Sequence, residues 1–268
     1  MRNKRNVGVI VAAVVVIVAI IIAAVTFAGN GDESPSTDNP DTTEQAPGEP
    51  TADTPNEGSS AQGFDSPTVD FLGRKVLTPR NGVGVPRGNL RQTEDVCAQK
   101  ESAAAGIEMQ ATEPTTLWSK SDGPASVESG APTGYSRTVQ GASVAAWNYY
   151  SVMYRNDASA EWIAKNRVDM SESDRDALVK DIQQAGGPVE PAMKQVPPVA
   201  YRVTSCSDDY VVLDYAKPAG DPSSGRSQGY NALRLAVVWK NDDWNVQLDA
   251  LKGSADNVDI EGWTQWSF

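Results

Sequence analysis

Residues 230–249 read YNALRLAVVWKNDDWNVQLD, and this stretch decides the fold class. Leu233, Leu235, Val237 and Trp239 fall at alternate positions, so an extended chain places them on one face. Asn241-Asp242-Asp243 then supplies turn-forming residues before the apolar run resumes at Trp244. The pattern predicts a β-hairpin with strands at 230–240 and 244–249. The period of two begins beyond Val196. Residues 199–206 and 210–217 read as a first hairpin joined by Ser207-Asp208-Asp209, and 221–229 as the polar loop between the two hairpins.

Upstream the period is helical. Thr138 is a suitable N-cap, and Val139, Ala142, Ala146, Tyr149 and Met153 recur at helical spacing behind it. Val144, Ala145, Trp147, Tyr150 and Val152 widen the apolar surface nearly all round, which predicts a helix enclosed on several sides. A short helix at 159–167 buries Trp162 and Ile163. A third, at 171–185, starts on the pair Ser171 and Asp174 and is stopped by Gly186-Gly187-Pro188. The aromatic C-terminus, residues 262–268, is expected to dock on the domain. Helices followed by two hairpins predict an α+β domain over residues 112–268, with helices on one face of a curved, cone-like antiparallel four-stranded sheet.

Residues 64–111 read as an irregular arm packing on that domain, with a short helix at 90–106. Residues 112–132 are mostly irregular, pinned by Trp118. The glycines at 82–88 invite comparison with a phosphate-binding loop. Arg87 takes the third glycine's place and Pro86 interrupts, so the segment is read as a plain loop.

Residues 7–28 carry neither charge nor proline, and as a helix span about 33 Å, enough to cross a bilayer core. Arg2, Lys4 and Arg5, within the basic tail 1–6, predict a cytoplasmic N-terminus and an extracytoplasmic remainder. A cleaved signal peptide is the alternative, with Thr26 and Ala28 as the small residues it needs. Its apolar region is usually only about 7–15 residues long. Residues 30–63 carry eight carboxylates and no Lys or Arg, with abundant Pro, Ser, Thr and Gly, and are expected to form a disordered linker. A coil of that length spans roughly 30–35 Å. The net charge of −12 argues against nucleic acid as a partner, because phosphates would be repelled.

The chain has no histidine, which removes the commonest general base and any Ser/His/Asp or Cys/His system. Asp208-Asp209 and Asp242-Asp243 sit at hairpin turns and read as turn residues. Residues 256–262 resemble a calcium loop, but Val258 and Ile260 occupy positions that need oxygen ligands. No catalytic residue, metal ligand or cofactor is therefore predicted. Cys97 and Cys206, on the expected outer side, suit a disulfide; two free buried thiols are the other reading. Trp147, Tyr150, Tyr154 and Trp162 either line a pocket between helix and sheet or fill the core, and helical spacing favours the core.

The order of elements resembles the α+β-cone domains related to nuclear transport factor two. Residues 123–124, 134–142 and 145–146, with Tyr201-Arg202-Val203, Val238-Trp239 and Asp243-Trp244, look like a family of actinobacterial membrane-anchored proteins associated with integrative conjugative elements. The anchor–spacer–cone plan is also similar to the bitopic inner-membrane scaffold subunits of type IV secretion and conjugation machines. The long acidic linker and the added arm depart from those scaffolds. The resemblance implies a non-enzymatic assembly subunit, held in the lipid bilayer by residues 7–28, that binds other envelope-complex proteins and is compatible with a homo-oligomer. A small-molecule or lipid-binding accessory of an uptake system is the alternative, and a cone-type enzyme comes third.

The topology is checked by adding a membrane-impermeant protease to intact spheroplasts. Everything beyond about residue 30 should be degraded, leaving a fragment of the anchor's size; full protection of the C-terminal part would reverse the orientation.

Overall fold

The computed structural model describes residues 63–91, 93, 95–99, 106–219, 229–248 and 255–268. The expected tail (1–6), transmembrane helix (7–28) and all of the acidic linker (30–63) but Gly63 lie outside the described residues. So do parts of the expected helix at 90–106 and almost all of the loop at 221–229. Among the described residues no helix is long and apolar enough to cross a membrane.

In chain order the elements are β1 (Phe64–Val69), β2 (Lys75–Pro79), β3 (Ile107–Gln110), β4 (Thr116–Ser119), β5 (Ser126–Glu128), β6 (Ala131–Thr133), α1 (Val139–Val152), α2 (Ala158–Asn166), α3 (Glu172–Gln184), α4 (Glu190–Met193), β7 (Ala200–Ser207), β8 (Tyr210–Pro218), β9 (Tyr230–Lys240), β10 (Asp243–Gln247) and β11 (Thr264–Gln265). The fold is α+β. One sheet has the order β1-β2-β3-β4, the second β10-β9-β8-β7-β11, and β5-β6 is a separate hairpin. All neighbouring strands are antiparallel except β2 and β3.

Helix α1 explains the layout. Thr138 caps it, its Oγ1 accepting from the Gly141 N–H at 2.9 Å, and every residue from Val139 to Val152 is buried. One side packs on β8, β9 and β10, and another on β4 and β6. Each side is also hydrogen-bonded. Tyr215 on β8 donates its hydroxyl to the Ser143 carbonyl at 2.6 Å. Asn148 accepts from the Leu117 N–H at 2.9 Å and donates to the Leu117 carbonyl at 2.8 Å, so a side-chain amide pairs with the backbone of β4 as a neighbouring strand would. Buried backbone groups need such partners.

The hairpins 199–217 and 230–249 form close to the expected boundaries. Asn241 and Asp242 both have positive φ, the geometry of a tight turn between strands in register at Lys240 and Asp243. Helices α2 and α3 also match, with the Ser171 Oγ accepting from the Asp174 N–H at 3.2 Å.

Four expectations are corrected. The main sheet has five strands, not four, because Trp263 and Trp266 bury themselves and lay Thr264 and Gln265 along β7. A two-residue strand is too short to show a period. Residues 64–111 are not an irregular arm: they carry β1, β2 and β3. Pro67 and a register shift between Asp65 and Thr68 break the alternation that would have marked β1. Within 112–132, β4 and most of the β5–β6 hairpin replace the irregular chain; Ser129-Gly130, both at positive φ, turn that hairpin. In place of the helix at 90–106, the described residues show a 3-10 turn, Cys97–Gln99.

The loop at 82–88 holds no ligand-like cradle; it packs on β4. Gly84, at φ +106°, lies against the Trp118 indole, where an added Cβ would come within 2.1 Å of the ring. Gly141 in α1 is equally confined: a Cβ there would sit 2.1 Å from the Ser136 carbonyl oxygen. Gly to Ala inside a helix ordinarily stabilises by roughly 0.5–1 kcal/mol. Here the sign reverses: Gly141→Ala should destabilise by about 1–3 kcal/mol in denaturant titration, because backbone must move to admit the methyl. A stabilised variant would show that the α1–Ser136 approach is looser than described.

Candidate functional site

The four aromatic residues singled out by sequence lie in two places. Trp147 and Tyr150 lie on α1, with ring centroids 5.9 Å apart, and Tyr154 follows with an edge-to-face contact to Tyr150 at 5.2 Å. Trp147 continues inward onto Tyr215 at 6.2 Å, which meets Trp266 at 6.1 Å, and Trp266 meets Tyr201 at 5.5 Å. Trp147, Tyr201 and Tyr215 are at most 1% exposed. The space between α1 and the five-stranded sheet is therefore filled by side chains, and Trp147 lines no opening. The indole N–H groups of Trp147 and Trp266 are buried without an acceptor, a cost the dense packing carries.

Trp162 sits elsewhere. It lines a shallow groove of 450 Å³ between α2, α3 and the β5–β6 turn, together with Glu161, Lys165 and Gln183. Its ring faces the Arg167 guanidinium, 5.1 Å from the ring centroid. Glu161 is held by Lys165 at 2.6 Å and by a short hydrogen bond from Gln183, which ties α2 to α3. A second depression, 270 Å³ and mostly polar, opens on the other side of Lys165 between the end of α2 and the β9–β10 turn.

Cys97 and Cys206 are joined in a disulfide with Cα atoms 5.8 Å apart. The bridge fastens the 3-10 turn of the first half of the domain to β7 across a sequence separation of 109. On the chain-entropy argument such a loop closure contributes about 4–5 kcal/mol.

Sequence reading missed three carboxylates. The sequence predicts a turn role for Asp243 alongside Asp242, but only Asp242 has it. Asp243 is 1% exposed and accepts from the N–H groups of Gly134 (2.9 Å), Tyr135 (3.2 Å) and Trp244 (2.9 Å), the Tyr149 hydroxyl (3.0 Å) and Arg167 Nε (3.1 Å). It joins the approach to α1, α1 itself and the end of α2. Asp122, fully buried, accepts from Ser136 (2.8 Å), Thr138 (2.5 Å), Ser121 (2.7 Å) and Arg91 Nε (2.6 Å). Asp214 lies directly across from Arg202 on one side and Arg234 on the other, with Nε distances of 3.1 and 2.7 Å. Asp209, the other turn residue singled out, pairs with Arg137 at the surface. Among the described residues, no group of three or more potential metal ligands converges.

These environments set the acid response. Burial pulls the Asp122 carboxyl up, but hydrogen bonds from Thr138, Ser121, Arg91 and Ser136 outweigh it and hold the group below the usual value. Asp214 is held down in the same way, burial being outweighed by Arg234 and Arg202. Asp243 goes the other way: burial pushes it up against the pull of its N–H donors and Arg167. Burial also lowers the Lys217 amine to about 8, with the neutral Gln195 Oε1 as acceptor at 2.9 Å.

A depressed carboxyl contributes stability above its unfolded pKa, near 4, and loses it as pH falls through the folded value. Asp122 and Asp214 therefore make the domain acid-sensitive below about pH 4, while Asp243 contributes with the opposite sign. Asp122→Asn should cost about 2–3 kcal/mol at neutral pH and flatten the fall of thermal midpoint below about pH 4. An unchanged acid slope in that variant would show that Asp122 does not carry the effect.

No curated protein and no solved structure matches the chain. A family does. The match runs over residues 79–265, from the end of β2 through the last residue of β11, and thus takes in α1, both hairpins, the disulfide and all three buried carboxylates. It covers more than half of the chain, which belongs to the family described as Domain of unknown function (DUF8175).

Proposed function

We propose that the protein is a non-enzymatic, single-pass membrane protein that presents residues 64–268 outside the cell membrane as a protein-binding domain of α+β-cone type. Its role on this reading is as an assembly or scaffold subunit of a conjugation- or secretion-type envelope complex. The observation that carries the reading is the filled interior. A cone domain that takes a small molecule holds it between helix and sheet, where concave, mostly apolar pockets form. Here Trp147, Tyr215, Trp266 and Tyr201 occupy that space. The uptake-accessory alternative needs an open pocket at Trp147, a residue with 0% exposure.

The Cys97–Cys206 bridge supports the outer location, since such bonds persist in oxidising compartments. The apolar run at 7–28 and its basic flank support the anchor. A docking face is offered by the side of the main sheet away from α1. It carries the cross-strand trio Arg202, Asp214 and Arg234, and Arg202 lies 4.5 Å over the Trp263 ring. Arg and Trp are residue types enriched where proteins meet.

Site-specific photocrosslinking in cells tests this, with the crosslinker placed at Arg202 and, separately, at Val69 on the β1 edge. Adducts with transfer or secretion subunits are expected from Arg202. Recovery of nothing but copies of this chain from both positions would sink the scaffold reading.

A further inference from the structure

The groove at Trp162 has walls that are tied to one another by the protein itself. Arg155 Nη1 donates to the Gly130 carbonyl at 3.4 Å and its Nε pairs with Asp157 at 3.0 Å, so the β5–β6 turn is fastened to the start of α2. Asp157 caps that helix, accepting from the N–H groups of Ser159 (2.9 Å) and Ala160 (3.2 Å). Asn156 Nδ2 donates to the Gly187 carbonyl at 2.9 Å, and Gln183 donates to Glu161, which fixes α2 to α3 and to the chain that follows it. A site already formed in this way loses little freedom when a ligand enters. Its volume of 450 Å³ lies within the range of small-ligand sites, about 300–1,000 Å³.

The charges that line the groove are balanced. Lys165 pairs with Glu161 at 2.6 Å and Asp157 with Arg155, which leaves no surplus for an ion of either sign. What stays open is neutral. Asn156 and Gln183 use their amide N–H groups within the protein, and their side-chain carbonyls accept from no described residue. The Trp162 indole N–H and the Ser129 hydroxyl bond to no described residue either. The Arg167 guanidinium lies 5.1 Å from the centroid of the Trp162 ring, but it lines the neighbouring depression and not the groove. The indole surface inside the groove is therefore one that Arg167 does not cover.

We propose that this groove binds a neutral saccharide, with one sugar ring lying against the Trp162 indole. A pyranose has an apolar C–H face, which an aromatic ring covers well, and a rim of hydroxyls that each donate and accept. The groove offers the complement: an aromatic surface edged by acceptors on Asn156 and Gln183 and by donors on Trp162 and Lys165. An anion would use the donors alone. A peptide strand would need a free strand edge, which two helices and a closed hairpin turn do not present. The groove is shallow and its rim is wet, so affinity is modest. The inference is independent of the scaffold reading: it rests on α2, α3 and the β5–β6 turn, away from the trio on the sheet.

The test is a calorimetric titration of the full-length protein in micelles of a detergent without a sugar headgroup. The probes are the tetrasaccharides of glucose, of N-acetylglucosamine and of galacturonic acid, with tetraglycine as the peptide. Saturable binding of at least one of the two neutral saccharides is expected, with Trp162→Ala weakening it about tenfold, the scale of one aromatic contact. Gln183→Ala, at an exposed position, should weaken it severalfold and keeps the test decisive if Trp162→Ala does not fold. Tighter binding of the N-acetylglucosamine oligomer would assign the groove to an amido-sugar polymer, whereas tighter binding of the glucose oligomer would assign it to a plain glycan. No saturable binding of either neutral saccharide, an equal affinity for the galacturonic acid oligomer or for tetraglycine, or an unchanged Kd in the folded variants would overturn the proposal.

Discussion

The enclosure of α1 is the constraint on which the domain depends. A helix with Trp147, Tyr149 and Tyr150 on different sides cannot satisfy itself against one sheet. It needs a second wall, which the chain supplies from residues N-terminal to the helix. That is why β4 is drawn in and why Asn148 gives its amide to the Leu117 backbone. Gln110 repeats the device one strand away, accepting from the Val85 N–H and donating to the Val85 carbonyl at 2.8 and 2.9 Å. At Leu117 a planar side chain finishes a strand edge, and at Val85 it pairs the backbone of the 82–88 loop; both would otherwise hold unpaired backbone groups.

Electrostatics reinforces that arrangement at three points. Asp122 gathers Arg91, Ser136 and Thr138 at the start of α1, Asp243 ties α1 to the end of α2, and Asp214 links β7, β8 and β9 through two arginines. Buried ion pairs are weak sources of net stability, since desolvation offsets the attraction. Their effect here is on register and placement: each acid accepts from groups that would be unsatisfied if the elements shifted.

Much of the fold was legible in the sequence. The main-sheet hairpins, α1 with its Thr138 cap, and α3 with its Ser171 start followed from local periods and cap chemistry, which act over a few residues. What escaped was non-local. β2 and β3 pair in parallel across a long connection, and β11 exists only because Trp263 and Trp266 carry two residues to the β7 edge. The β5–β6 turn has a local signal in Ser129-Gly130, masked by the Pro and Ser that surround it. The candidate sites were the least legible. Asp243 stands beside a true turn residue, and nothing local separates a turn aspartate from one buried against Gly134 and Arg167. Trp162 was grouped with Trp147 by residue type, while the chain sends them to a surface groove and to the core.

The two-walled seat of α1 also has a cost in time. During vectorial synthesis the β4 wall emerges before the helix, but the β8–β10 wall begins at Tyr210 and follows Val152 by roughly sixty to ninety-five residues, about 3–20 s at typical synthesis rates. Through that interval the aromatic side of α1, with Trp147 at its centre, has no partner and offers itself to any apolar surface nearby. The order of the chain, helix before sheet, thus leaves one helix half-covered until the strands of its second wall have been made.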